Sequence, residues 1–151
     1  MKKFENPEAL QTHAIRLLYE TPKVEEYLRL RAAAGLDARS AEGATLGLPN
    51  TFFAVILRHQ GRLIGMGRIV GDGGLVFQIV DIAIDPAWQA RGLGKLVAGE
   101  LVKHLHANVP DLAHVSLLAD GPAKYLYAKF GFEETAPASI GMAFLNRRDP
   151  G

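Results

Sequence analysis

The sequence has 151 residues, the length of one ordinary domain that buries roughly two-thirds of its extended-chain surface in a single core. Apolar residues make up 48% and charged residues 22%, close to the averages of globular proteins, which excludes disorder and fibrous repeats. The net charge of +1 is too small to favour nucleic acid or an anionic membrane as a partner. We therefore predict one domain over residues 1–151, with 147–151 as a flexible tail.

The chain contains no cysteine, which excludes disulfides, thiolate metal sites and a cysteine nucleophile. Glu5 and Glu8 occupy the region where a signal peptide has its apolar core, and no apolar run reaches the ~20 residues of a membrane span. We expect a soluble, cytoplasmic protein. The five histidines lack the paired spacing of a metal site, so we expect no bound metal.

The N-terminal part of the chain predicts one strand and two helices. Residues 13–19 are rich in apolar side chains and predict a first strand. Thr21 followed by Pro22 has the pattern of a helix start, and apolar residues at helical spacing continue to Gly35. Residues 37–47 are alanine-rich but contain two glycines, which predicts a second, short helix.

The middle of the chain predicts three consecutive strands. Residues 51–59 are rich in β-branched and aromatic side chains, a Gln-Gly turn follows, and residues 62–70 form the hairpin partner. A glycine-rich turn leads into residues 75–84, which are apolar almost throughout. Two tight turns predict an antiparallel meander, and the apolar third strand is typical of a central strand covered on both faces.

A glycine-containing loop, residues 89–94, follows the third of these strands and leads into a helix. The first backbone N–H groups of a helix have no partner within the helix, so together with the helix dipole they favour a bound phosphate. Gly92 and Gly94 let an anion approach the backbone without meeting a Cβ atom, and Arg91 and Lys95 add positive charge. We predict an anion-binding loop.

The C-terminal part predicts a helix, a strand, a second helix and two further strands. The first helix, which follows the loop, has apolar side chains at spacings of three and four residues until residues 108–111 end it. Residues 114–119 predict a strand parallel to the previous one, because a helix separates the two. Residues 123–130 predict a last helix closed by Gly131. Residues 132–135 and 140–146 predict two closing strands.

Two motifs resemble those of the GCN5-related N-acetyltransferase (GNAT) family. Gln89-Ala90-Arg91-Gly92-Leu93-Gly94 is similar to the family's Gln/Arg-x-x-Gly-x-Gly/Ala loop, and residues 127–132 are similar to its Tyr-x-Lys-x-Gly-Phe helix ending. The predicted order β-α-α-β-β-β-α-β-α-β-β is also the family order. The resemblance implies an α+β fold: an antiparallel meander, then a βαβ unit with a splayed central strand pair, and helices on both faces of a mixed sheet.

The resemblance also implies a binding site for acetyl-CoA, with no metal. In the family the loop grips the pyrophosphate, and backbone groups of the central strand run beside the pantetheine arm and supply the oxyanion donor. A tyrosine at the position of Tyr127 protonates or hydrogen-bonds the CoA sulfur. The implied donor-site residues are Ile82, Ala83, Ile84, Gln89, Ala90, Arg91, Gly92, Leu93, Gly94, Lys95 and Tyr127.

The general base is not fixed by the sequence. Gln78 stands where some family members have a glutamate, and an amide cannot accept a proton at neutral pH. Asp81, the one ionisable side chain inside an apolar strand, is either a base or amine contact, or a structural acid satisfied by neighbouring groups. Asp120 is the next candidate. Leu30, Glu42 and Phe52 are the expected neighbours of the acceptor substrate.

The predicted activity is acetyl transfer from acetyl-CoA to a primary amine, by direct attack in a ternary complex because no cysteine can carry the acyl group. A small-molecule amine is the expected acceptor. Two alternatives stay open: a catalytically silent acyl-CoA sensor or interaction module, and an acetyltransferase that acts on a protein or peptide amine. A homodimer is compatible with the resemblance.

Overall fold

Residues 14–148 are described by the computed structural model, which divides between Leu117 and Leu118 into two units. The first unit contains a five-stranded sheet with its helices, and the second contains one short helix. The one-domain organisation of the chain stays a prediction. Residue 13, the first of the predicted first strand, and residues 149–151 of the predicted tail lie outside the described part.

The sheet has its strands in the order of the chain. The first four strands pair antiparallel, and the last pair is parallel. This arrangement confirms the predicted meander and the parallel strand after a helical crossover. The strands are β1 (Ile15–Leu18), β2 (Phe53–His59), β3 (Arg62–Gly71), β4 (Val76–Ile84) and β5 (His114–Ser116).

Helices cover both faces of the sheet. They are α1 (Val24–Ala33), α2 (Ala41–Gly47), which continues into a 3-10 turn (Leu48–Asn50), and α3 (Leu93–Asn108). Met66 packs in a buried cluster with Leu30 of α1, whereas a Cβ on the next residue, Gly67, would meet Val97 of α3. Consecutive strand residues face opposite sides, so α1 and α3 lie on opposite faces. Among residues 14–148, no helix has the length and apolarity needed to cross a bilayer.

Helix α1 begins later than predicted. The first helical residue is Val24, preceded by Lys23 in an extended conformation. The Lys23 N–H donates to the Glu26 carboxylate at 2.9 Å, so an acidic side chain from the first turn satisfies this backbone donor. The predicted helix start at Thr21-Pro22 was therefore wrong. The predicted end is confirmed, because Gly35 has a left-handed φ of +78°.

The second unit has less regular structure than predicted. Its helix α4 (Ala123–Ala128) ends two residues early, and Gly131 follows with a φ of +88°. The strands predicted at 132–135 and 140–146 do not form within the described residues. A strand needs a neighbouring strand for its backbone hydrogen bonds, and the sequence pattern of a segment does not show whether such a neighbour exists. Thr135 and Ser139 bond to each other in a local turn instead.

Gly67 is expected to be essential for packing α3 on the sheet. A Cβ there would lie 2.7 Å from Val97 Cγ1 and 2.9 Å from Leu101 Cδ1, both on buried side chains. Gly67→Ala is therefore expected to lower the free energy of unfolding by about 1–3 kcal/mol. Gly74→Ala is the control, since nothing lies within 4 Å of that position. Urea denaturation measures both; equal stability of the two variants contradicts the prediction.

Candidate active site

The central strand β4 contains a bulge. Val80 pairs with Arg68 and Ala83 pairs with Met66 of β3, so Asp81 and Ile82 together oppose one residue. Asp81 has a φ of +60°, a conformation that aspartate tolerates better than most residues. The extra residue directs the side chain of Asp81 to the α1 face, where its contacts lie.

Asp81 is held by three donors. Its Oδ2 accepts from Arg68 Nε at 2.7 Å and from Tyr27 Oη at 2.9 Å, and its Oδ1 accepts from Arg31 Nη1. The side chains of Arg31, Arg68 and Asp81 are only 6%, 11% and 7% exposed. Both carboxylate oxygens are thus occupied in a nearly buried ionic cluster, the arrangement that the sequence analysis described as a structural acid.

The donors of this cluster are themselves fixed in place. Arg31 Nη2 and Nε donate to the Asp37 carbonyl at 2.7 and 3.2 Å, and Arg68 Nη1 donates to Thr51 Oγ1 at 2.7 Å. Tyr27 lies one helical turn before Arg31, so both reach the same side of α1. Burial, and next the charge of Asp81, raise the pKa of Tyr27, which keeps this phenol a neutral donor.

Strand β4 loses one of its two partners beside the bulge. Its parallel pairing with β5 ends where Gln78 meets Ser116, and from Ile79 to Ile84 the strand pairs with β3 alone. On the β5 side, this part of β4 has no strand partner among the described residues. A bound molecule with hydrogen-bonding groups of its own can pair with such a free edge.

The loop after β4 is anchored at both ends. Asp85 accepts from the Ala87 N–H at 3.0 Å, and the side-chain amide of Gln89 donates to the Ile84 carbonyl at 3.0 Å. Leu93, the first residue of α3, is buried. Gly92 has a φ of +79° with nothing within 4 Å of an added Cβ, so the loop has a left-handed turn that opens to free space.

A run of backbone N–H groups in this loop has no acceptor. The first helical bond of α3 runs from Leu96 N to the Gly92 carbonyl at 3.0 Å. Within residues 14–148, no backbone or side-chain acceptor binds the N–H groups of residues 90–95. Arg91 and Lys95 are exposed beside them. Six consecutive free donors, the helix dipole and two cations form the site expected for a phosphate or pyrophosphate.

Trp88 supports the cationic side of the loop. The guanidinium of Arg91 lies 4.7 Å from the centre of the Trp88 ring, and His59 packs against that ring at 4.6 Å. Arg91 Nη2 also lies 3.4 Å from the Ala87 carbonyl. A cation over an indole face is stabilised by the ring quadrupole, so Arg91 is positioned before any anion binds.

Tyr127 lies on α4 in the second unit. Burial, and next the charge of Asp120, raise the pKa of its phenol above the ordinary value. Phe132 packs edge-on against its ring at 6.3 Å. The hydroxyl therefore stays protonated at neutral pH and can donate a proton. Tyr125 on the same helix is 67% exposed.

The structure separates the predicted substrate neighbours. Leu30 is 0% exposed inside the core, so its side chain offers no surface to a substrate. Phe52 packs against Phe77 and against His104 of α3, on the face of the sheet opposite Asp81. Glu42 is exposed on α2, and Asp120 is exposed in the second unit. Of these residues Leu30 is buried, Phe52 is partly exposed, and Glu42 and Asp120 are exposed.

Sequence reasoning missed the partners of Asp81. Arg68 is a charged residue within an apolar strand, and Arg31 follows Tyr27 at a spacing of four residues. Either could have been identified as a buried counter-ion, because a charge is rarely buried unless it is paired. Among the described residues, no three His, Asp or Glu side chains come together as a metal site would require.

This chain is similar to known proteins in both sequence and fold. A family model described as an acetyltransferase (GNAT) domain matches residues 37–141. A structure from meticillin-resistant Staphylococcus aureus, a probable acetyltransferase of unknown function, is 44% identical, has a TM-score of 0.84 and covers 87% of this chain and 99% of its own. A GNAT family acetyltransferase from Streptococcus pneumoniae, at 24% identity and a TM-score of 0.69 over 89% and 99% of the two chains, shares the fold.

Named relatives are longer than this chain. The histone acetyltransferase TAP1 of Glycine max is 35% identical over 56% of this chain and 36% of its own length. The mycothiol acetyltransferase of Thermobifida fusca is 30% identical over 84% of this chain and 46% of its own length. The chain thus spans less than half of these relatives. The matched family model and the shared fold establish that the chain belongs to the GNAT acetyltransferase family.

Proposed function

We propose that the protein transfers an acetyl group from acetyl-CoA to a primary amine. The observation that carries this proposal is the run of six N–H groups at residues 90–95 that have no acceptor among residues 14–148. This run follows a strand edge that pairs with no other strand in the same range. The pyrophosphate of acetyl-CoA needs the N–H groups, and the pantetheine arm joined to it needs the neighbouring strand edge. The wide space above Gly92 and the nearest contact of 3.9 Å above Gly94 leave room for the phosphates.

The donor site consists of the β4 edge and the loop. Backbone groups of Ile82, Ala83 and Ile84 hydrogen-bond the pantetheine arm, and one N–H of this stretch donates to the thioester oxygen as negative charge develops there. The loop from Gln89 to Lys95 binds the pyrophosphate. The side chain of Gln89 holds the loop to the end of β4 through the Ile84 carbonyl.

The reaction is a direct transfer. A neutral amine nitrogen attacks the thioester carbonyl carbon, the new C–N bond forms and the C–S bond breaks. Tyr127 gives its phenol proton to the departing sulfur. The proton that leaves the nitrogen passes through water and restores the phenol, so protons and electrons balance. The raised pKa of Tyr127 keeps the donor form present at neutral and moderately alkaline pH.

Asp81 acts as a positioning residue in this proposal. Two guanidinium groups and a phenol occupy its oxygens, so a substrate amine would have to displace one of them to reach it. The ionic cluster instead fixes the bulge that opens the edge of β4. Asp120, the other acid predicted near the reaction, is exposed and close enough to Tyr127 to act on its pKa; its part in proton removal stays a prediction.

A small-molecule amine is the proposed acceptor, and two other functions compete with it. The mycothiol relative carries the name of a small molecule, and the soybean relative that of a protein substrate. Gln78 in place of a glutamate is the feature that supports a silent acyl-CoA sensor. A panel of amines with a lysine-bearing peptide, assayed for thiol release from acetyl-CoA, separates the three. Because the chain has no cysteine, every thiol detected is CoA.

Gly92→Ala is expected to weaken acetyl-CoA binding about tenfold or more, because a methyl group in the loop costs at least one charge-assisted hydrogen bond to phosphate. Gly35→Ala is a matched control: its φ is +78° against +79°, and nothing lies within 4 Å of either added Cβ. Both variants carry the same backbone strain. Calorimetry of acetyl-CoA binding measures the difference, and equal affinities in the two variants contradict the loop assignment.

Tyr127→Phe is expected to lower kcat about 100-fold or more, because a general acid is lost, while the KM for acetyl-CoA changes little. The raised pKa places deprotonation of the phenol above its ordinary range. The ratio of the kcat of Tyr127→Phe to that of the wild type should therefore be constant from pH 7 to 9. Tyr125→Phe, at an exposed position of the same helix, is the control. An unchanged rate in Tyr127→Phe at all these pH values rejects the proton-donor role.

Asp81→Asn is expected to lower the free energy of unfolding by about 3–5 kcal/mol, since it leaves two buried guanidinium groups without their counter-ion. Asp111→Asn, an exposed position without a partner among the described residues, should stay within about 0.5 kcal/mol of the wild type. Chemical denaturation measures both. Unchanged stability together with a kcat that falls about 100-fold or more would make Asp81 the base instead.

A further inference from the structure

Two polar side chains lie next to each other on the α1 face of the sheet, beside the bulge. Arg68 pairs with Val80 and Val70 pairs with Gln78 across β3 and β4. Paired residues share a face, and so do residues two apart in a strand. Arg68 and Gln78 are therefore diagonal neighbours on the face of Asp81, roughly 7–8 Å apart at the backbone.

Each of these side chains keeps a donor without an acceptor. Arg68 uses Nε for Asp81 and Nη1 for Thr51. In the part of the chain that the structure describes, nothing accepts from its Nη2, and the Gln78 amide has no partner there. Neither atom belongs to the buried polar atoms that lack a partner, so both reach solvent. The guanidinium is thus fixed by two bonds, and its third nitrogen keeps a donor that no described residue accepts.

The charge of this surface favours an anion. Arg31 and Arg68 carry two positive charges, and Asp81 supplies one negative charge between them. The cluster keeps one net positive charge at side chains that are 11% exposed or less, where water screens poorly. A second cation close by is disfavoured, whereas a carboxylate can accept both the Arg68 Nη2 donor and the Gln78 amide.

We infer that the acceptor amine carries a carboxylate, and that Arg68 Nη2 and the Gln78 side chain bind it. This inference rests on the acetyl transfer proposed above, because it places the carboxylate of the acceptor next to the bulge at Asp81–Ile82. Val80, opposite Arg68, lies two residues from Ile82, or about 7 Å along a strand. With the carboxylate held there, only an acceptor with the right number of bonds between its carboxylate and its nitrogen can bring that nitrogen to the thioester carbon.

A length series of amino carboxylates tests the inference. Glycine, β-alanine, 4-aminobutyrate, 5-aminovalerate and 6-aminohexanoate are compared with their amides, which keep the amine and lose the charge. We expect one member to exceed its own amide in kcat/KM about 10- to 100-fold, the range of a hydrogen bond to a charged group. Binding of the same acids in the presence of CoA is measured by calorimetry, so that affinity is read independently of turnover.

Gln78 provides the variants, because its amide has no partner among the described residues and its loss leaves the Asp81 cluster intact. Gln78→Glu keeps the size and adds a repelling charge, and Gln78→Met removes the amide without adding charge. The carboxylate preference should vanish in Gln78→Glu and fall by less in Gln78→Met. The ratio of kcat/KM for each acid to that for its own amide is therefore the quantity compared, because any change that a variant makes to both substrates alike cancels in it.

The outcomes separate this inference from the proposed function. If CoA release is as fast or faster with the amides, or with a polyamine, than with the amino carboxylates, the carboxylate site is wrong and the proposed acetyl transfer still holds. Calorimetry that detects no binding of any amino carboxylate overturns it as well. Carboxylate binding that Gln78→Glu abolishes, without CoA release from any amine, supports the anion site and rejects the acetyl transfer.

Discussion

The buried ion pairs of Asp81 with Arg31 and Arg68 are the interaction on which the rest of this site depends. They join α1, β3 and β4 at the one place where β4 gains an extra residue. A bulge in a central strand removes ladder hydrogen bonds, so it persists only where other contacts hold it. Here three donors bind a single carboxylate, and the strand edge beyond it stays open.

The opposite face of the sheet positions the anion loop. Helix α3 packs so closely on β3 that Gly67 leaves no room for a Cβ between strand and helix. That contact, through Val97 and Leu101, holds α3 against the sheet. The N–H groups of residues 90–95, before and at the start of this helix, have no acceptor in the described chain. The two faces of one sheet thus support the two parts of the proposed donor site: the edge of β4 and the loop before α3.

The same ionic cluster gives the acceptor side its character. The carboxylate of Asp81 is occupied by its partners, so it offers no free oxygen to a substrate. Its negative charge is outweighed by the two arginines of the cluster. What remains is one net positive charge and an Arg68 nitrogen without an acceptor among the described residues. A buried counter-ion orients the arginine, and in the carboxylate site inferred above the excess charge would favour an anionic group. Arg68 would then belong both to a structural ion pair and to substrate recognition.

The sequence by itself determined the family and the strand order up to β5, because these depend on local patterns: apolar periodicity, turn residues and the glycine motif of residues 89–94. Only the tertiary structure decided the partners of Asp81, the burial of Leu30 and the absence of strands at 132–135 and 140–146 in the described chain. Ion pairing, burial and strand pairing join residues far apart in the chain, so no local pattern contains them.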